Sequence, residues 1–230
     1  MRRGKPYAKA PLAHEHRVLA VDDLGSGALV DLSRWGLPKE PTVQDSLSAG
    51  ADVICFSGDK LLGGPQCGII VGKREHIERI KSNQLTRALR CDKMTFAVLE
   101  ATLRLFLDEG KLLKQHPVLR LLTMPLEEIR SRCEVLKDGL EKVMAGKGMV
   151  AVEQDTSEAG SGSLATVSLP TWVTAVSVKG VPSEEIARRL RLVPVPVFGR
   201  IKDQKFLLDG RTIRDDELAF VLDGFRAITA

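Results

Sequence analysis

One lysine in this chain stands where covalent chemistry is possible. The stretch Phe56-Ser57-Gly58-Asp59-Lys60-Leu61-Leu62-Gly63-Gly64-Pro65-Gln66 sets Lys60 between an apolar run and a glycine pair. Three roles suit a lysine there. It can be a solvated loop charge. It can hold a phosphate, but no Gly-x-x-x-x-Gly leads into a Lys-Ser or Lys-Thr pair, so the spacing is not that of a Walker loop. Or it can be a desolvated, sterically fixed amine that condenses with a carbonyl cofactor as a Schiff base. The neighbours add weight to the third role. The Ser57 hydroxyl can bond a phosphate or the lysine, and the glycines let the backbone approach a flat ring.

Two further groups bear on that chemistry. Asp22-Asp23-Leu24-Gly25-Ser26-Gly27 puts an acidic pair ahead of glycines, one strand-helix-strand unit before Lys60. Alone it reads as an acidic turn or a helix cap. At that spacing, a carboxylate can instead pair with a protonated pyridine nitrogen and keep it cationic, which is what makes pyridoxal phosphate an electron sink. Arg87 and Arg90 lie three apart, so on a helical turn both guanidinium groups point the same way. Such a pair of planar forks suits a phosphate-like anion, and the plainer reading is a solvated basic face.

The elements that must position these residues follow from patterning. Residues 53–56 are a short buried strand, since a continuous apolar run bounded by turn formers suits a strand covered on both faces. Residues 67–71 form another strand, and Lys60 sits in the tight connection between the two. Residues 18–21 are a strand with the acidic pair at its end. Residues 42–49 are a helix capped by Thr42, with Val43, Leu47 and Ala49 inward and Pro38 and Pro41 barring an earlier start. Together these make a βαβ unit. Basic helix 74–82 follows, then helix 93–107, whose apolar face of Met94, Val98, Ala101 and Leu105 is expected in the core. Residues 110–123 read as a connection broken by Pro117. A long helix spans 125–144, with Leu126, Ile129, Cys133, Leu136 and Leu140 on one stripe. Strands at 150–153, 164–169 and 174–178, a turn at 160–163, helix 183–190, a hairpin over 197–208 and a last helix at 215–227 complete a small α+β domain.

Composition sets the bounds. The chain has 230 residues, 43% of them apolar, enough for one core and a smaller second one. A net charge of +4 is mildly basic, which permits an anionic partner without specifying nucleic acid. The four cysteines lack Cys-x-x-Cys spacing and read as reduced packing residues of a cytoplasmic protein. No apolar stretch approaches the roughly 20 residues of a spanning helix, and no signal peptide is expected. His14, His16, His76 and His116 are scattered, with solvated or capping roles as the default.

With these residues in view, the chain resembles a known family. Val21-Asp22-Asp23-Leu24-Gly25-Ser26-Gly27, Gly36-Leu37-Pro38-Lys39-Glu40-Pro41-Thr42, the Lys60 stretch, Arg87-Ala88-Leu89-Arg90-Cys91-Asp92-Lys93 and Pro194-Val195-Pro196-Val197-Phe198-Gly199-Arg200 are similar to bacterial selenocysteine synthase, the L-seryl-tRNA(Sec) selenium transferases. The likeness runs through nearly the whole chain. It implies an α/β, fold-type-I pyridoxal 5'-phosphate (PLP) transferase: part of a mainly parallel large-domain sheet, then a small α+β C-terminal domain. The expected division is a flexible lead-in at 1–17, the C-terminal half of the PLP-binding domain at 18–124, and a long linking helix with the small domain at 125–230.

The resemblance also implies roles. Lys60 would bond the cofactor and then, freed, take the α-proton of the seryl group, with Asp59 beside it. Asp23 would partner the pyridine nitrogen, with Asp22 as rival, and Ser57 would lie against the cofactor. Arg87 and Arg90 would receive selenophosphate. Arg200 sits where related enzymes often bind a carboxylate; here the substrate carboxyl is an ester, so a contact to seryl-tRNA(Sec) or phosphate is expected instead. The family assembles as a ring of dimers and its members are about twice this length, so an upstream half carrying the phosphate cradle and the ring-stacking group is expected to be missing. Alone, the chain is then expected to bind PLP weakly and to be inactive. The alternatives are a related PLP lyase acting on a small amino acid or amino sugar acid, and an inactive assembly fragment.

Overall fold

Three short strands carry the residues singled out above. In the computed structural model, which describes residues 9–160 and 167–229, β1 (Val21–Gly25) pairs parallel to β2 (Val53–Ser57), and β2 pairs antiparallel to β3 (Gly68–Gly72). The crossover from β1 to β2 runs through a 3-10 turn at Leu32–Trp35 and helix α2 (Val43–Ser48), so the expected βαβ unit is present. Thr42 caps α2 in a capping box: its hydroxyl accepts from the Asp45 N–H, while the Asp45 carboxylate accepts from the Thr42 N–H.

The strand expected at 18–21 instead begins at Val21, so the acidic pair lies inside β1 and not at its end. Pairing decides this, because the β1–β2 register opens at Val21 opposite Val53 and leaves Val18 and Leu19 without a partner strand and exposed. On α2 the inward position goes to Ser46, not Leu47, because the Ser46 hydroxyl donates to Asp22 at 2.5 Å.

Helices α3 (Arg74–Ser82), α4 (Gln84–Leu89) and α5 (Lys93–Leu105) follow. The apolar face of α5 is largely outside the core here. Met94 is 73% exposed and Val98 and Ala101 are exposed too, while Leu105, as expected, packs against a core cluster together with Leu99 and the following Phe106. Residues 110–123 are also not an irregular connection but helices α6 (Glu109–Gln115) and α7 (Pro117–Thr123). Asp108 caps α6, and Pro117 opens α7 at its first position, where the missing N–H costs nothing. Two clusters close this region: Leu32, Leu61, Leu112 and Leu119 in one, Val43, Ile54, Phe56 and Leu62 in the other.

The lead-in at 1–17 contains helix α1 (Lys9–Glu15), held through a buried carboxylate. Asp52 accepts from His14 Nε2 at 2.9 Å and from the Ala20 N–H at 2.8 Å, and it pairs with Lys73 Nζ at 2.6 Å. The Lys73 ammonium first, then the Ala20 N–H, hold this carboxyl well below the usual carboxylate range. A carboxyl depressed in the folded state stabilises above its unfolded value, near 3.8, and that contribution is lost as pH falls further. Asp52→Asn is therefore expected to cost about 2 kcal/mol at pH 7, with the gap to wild type narrowing below pH of about 4. Denaturant titrations across pH check this; an equal gap at neutral and strongly acidic pH would refute it.

The chain divides into two compact units, Met1–Thr123 with Ala159–Val167, and Met124–Glu158 with Ser168–Ala230. In the second, α8 (Leu126–Met144), α9 (Ser183–Leu190) and α10 (Leu218–Thr229) cover one face of a sheet ordered β4-β5-β7-β6. Its strands are β4 (Gly148–Glu158), β5 (Ser168–Val178), β6 (Arg200–Lys202) and β7 (Lys205–Asp209), all antiparallel neighbours. Phe206 and Leu208 on β7 alternate inward to meet Leu136, Leu140, Ile186 and Phe225. The α8 stripe lies as expected except for Leu126, which is exposed. The strands expected at 164–169 and 174–178 form one strand from Ser168, with Pro170 inside it; residues 161–166, and most of the turn expected at 160–163, lie outside the described residues.

Candidate active site

Lys60 is held in a turn fixed by backbone hydrogen bonds. The Gly63 N–H donates to Lys60 O at 2.9 Å and the Gly64 N–H to Gly58 O at 2.8 Å, while the Leu61 N–H reaches across to Ser26 O at 3.0 Å, tying the turn to the loop that leaves β1. Glycine is required where chains touch. A Cβ on Gly58 would meet Cys67 Sγ at 2.5 Å, and one on Gly27 would collide with the Ser57 carbonyl oxygen. Leu61 and Leu62 are buried, which leaves the half-buried Lys60 and the exposed Asp59 facing outward.

The two acidic residues separate by face, as adjacent strand positions must. Asp22 points toward α2 and accepts from Ser46. Asp23 is exposed and stands opposite Cys55 on β2. Burial and then the nearby Asp23 charge push the Cys55 thiol up, and with Asp22 turned to α2, alternation puts the Asp23 carboxylate on the opposite face. Just beyond, Gly25 has φ +65°, and nothing lies within 4 Å of where its Cβ would be, so a flat ring can come close to the backbone there.

Arg87 lies on α4, and Arg90 is its extended C-terminal cap, so they do not share a regular helical turn. Both are exposed and have no carboxylate partner among the described residues. Burial first, then the Cys91 and Asp59 charges, push the Cys67 thiol up. Arg200 belongs to the second unit, where its guanidinium donates to Thr156 O at 2.7 Å and pairs with Asp155 at 3.0 Å and Asp209 at 3.3 Å.

Two polar groups of this site are given no role in it by the sequence. The Ser26 hydroxyl is buried beside the lysine turn without a hydrogen-bond partner. His116, fully buried, donates from Nε2 to Leu62 O at 2.8 Å, so it is neither solvated nor only a cap. The local signal was available in His116-Pro117, a capping residue followed by proline at a helix start.

The residues present fit PLP in part. A lysine amine without a carboxylate partner, a free carboxylate on a sheet face, bare glycine backbone and an unsatisfied buried hydroxyl suit the aldehyde and pyridine ends. No group of three or more metal-ligating side chains occurs among the described residues. No helix among them is long and apolar enough to cross a membrane.

Comparison with known proteins identifies the family. The family described as SelA, L-seryl-tRNA selenium transferase, matches residues 7–214. An L-seryl-tRNA(Sec) selenium transferase of Alkaliphilus metalliredigens is 43% identical over 217 residues, covering 94% of this chain and 46% of the relative. One of Geobacter sulfurreducens is 46% identical over 208 residues, covering 90% and 45%. The chain thus spans about half the length of the curated relatives it matches. Among solved structures, D-glucosaminate-6-phosphate ammonia-lyase shares the fold with a TM-score of 0.59 at 16% identity, over 98% of this chain and 53% of that one. This accords with the fold-type-I α/β architecture that the resemblance implied, and the match across residues 7–214 settles the wider relationship: the chain belongs to the L-seryl-tRNA selenium transferase family.

Proposed function

We propose that this chain supplies the covalent lysine and the anion-binding arginines of a PLP-dependent transferase that converts L-seryl-tRNA(Sec) to L-selenocysteinyl-tRNA(Sec) with selenophosphate, in the cytoplasm and as a homo-oligomer. The observation that carries the reading is the family match, whose span of residues 7–214 includes the Lys60 turn. When bound, PLP supplies an electron sink that lets a seryl α-proton and then the β-hydroxyl depart.

The residues divide the remaining work. Lys60 would hold the cofactor at its aldehyde end, and its free amine would carry the α-proton on Nζ. Asp23 keeps a proton on the pyridine nitrogen, and Asp22 braces β1 through Ser46. Asp59 and Ser57 flank the amine. Arg87 and Arg90, unpaired among the described residues, present forks to selenophosphate. Arg200 would serve seryl-tRNA(Sec) only after release from Asp155 and Asp209.

A second reading rests on the shared fold with D-glucosaminate-6-phosphate ammonia-lyase: elimination from a small amino acid or amino sugar acid. Assaying the chain, completed with the remaining half of a relative, on both substrate classes separates the two. Transfer to seryl-tRNA(Sec) is expected, with Arg87→Ala lowering it about tenfold, mainly through a higher KM for selenophosphate. Elimination on free small substrates that is indifferent to Arg87 would overturn the transferase reading.

A further inference from the structure

We infer that His116 is a positioning residue for the Lys60 amine, acting through the carbonyl of Leu62 and the backbone of Gly63. The inference rests on the role given to Lys60 above. The ring is fully buried, and both nitrogens are spoken for. The Leu119 N–H donates to Nδ1 at 3.1 Å, so Nδ1 carries the lone pair; Nε2 lies 2.8 Å from Leu62 O, which can only accept, so Nε2 carries the hydrogen. One neutral tautomer satisfies both contacts.

The same ring shapes the turn. Gly63 adopts φ +67°, and a Cβ there would meet His116 Cε1 at 2.5 Å and Nε2 at 2.8 Å. Imidazole therefore occupies the space a side chain at 63 would need, and Phe106 holds it from the other side, edge-on at 5.1 Å and 77°. The backbone bonds of the turn run within it, to Ser26 O from Leu61 and to Cys67 O from Gly58. The bond to Leu62 O is the side-chain tie from outside, and without it a carbonyl of a fully buried residue would be left unpaired. Lys60 begins this turn through its own carbonyl, so freedom at 62 and 63 becomes freedom of the amine.

A purely structural histidine would only cap α7. The two roles separate by substitution, because asparagine can still accept from the Leu119 N–H but cannot reach Leu62, whereas glutamine can reach Leu62 O and is the poorer cap. On the 230-residue chain, trace acetic anhydride labelling followed by mass spectrometry reads Lys60 reactivity against all other lysines, and hydrogen exchange reads the Gly63 amide. His116→Asn is expected to speed Gly63 exchange about tenfold and to shift relative Lys60 labelling about threefold, with His116→Gln close to wild type. Wild-type behaviour of both readouts in His116→Asn, or equal disturbance in the two variants, would overturn the inference. Should either variant fail to fold, nitrogen NMR of the wild-type ring decides: protonated Nε2 with bare Nδ1 supports it, and the opposite tautomer or a mixture overturns it. Neither readout needs cofactor or substrate, so failure here leaves the transferase reading standing, and the reverse holds.

Discussion

Replacing Lys60 with alanine is expected to abolish borohydride-fixed attachment of PLP and to lower turnover of the completed enzyme by about a thousandfold or more. The effect should be that large because one nitrogen serves twice, as the covalent anchor and as the group that carries the α-proton. Nearby lysines provide the control. Lys73 is committed to Asp52 at 2.6 Å, and Lys39 lies between Asp31 and Asp45 at 3.8 and 3.6 Å. Lys60 has no such partner among the described residues. Peptide mapping of the reduced adduct should therefore return the Lys60 peptide alone. Label at another lysine, or label surviving Lys60→Ala, would sink the assignment and with it the roles of its neighbours.

Asp23→Asn should lower turnover by about a hundredfold while Asp22→Asn costs far less activity and more stability. The asymmetry comes from the pleat. Asp23 is free on the face opposite α2, while the Asp22 carboxylate is spent on the Ser46 hydroxyl that ties α2 to β1. Comparing kcat for the two variants with their unfolding midpoints separates the roles. Equal kinetic losses, or a greater loss in Asp22→Asn, would assign the pyridine nitrogen to the other acid.

The sequence disclosed the parts whose signals are local. Thr42 ahead of α2, the apolar run of β2 and the glycines after Lys60 each announce themselves, and together they give the βαβ unit around the lysine. Misreadings occurred where pairing or burial decided. Aspartates are poor strand formers, so β1 was placed upstream of Asp22 until its register with β2 fixed it. Pro117 reads as a breaker by residue type although its position opens α7, where a missing N–H is free. The apolar positions of α5 showed a helix but could not show which residues another element covers. His116 is legible as a cap before Pro117, but its contacts with Leu62 and Gly63 are not, because these are distant in sequence and offer backbone, which leaves no pattern of residue types to read.

The uncovered side chains of α4 and α5 have a practical consequence for anyone producing this chain. Leu85, Leu89, Met94 and Phe96 are each more than half exposed, the kind of surface that chaperones hold and proteases sample. Yield in a cell will then track how quickly that surface is shielded, and purification will be gentlest in dilute solution with a mild detergent and away from hydrophobic resins.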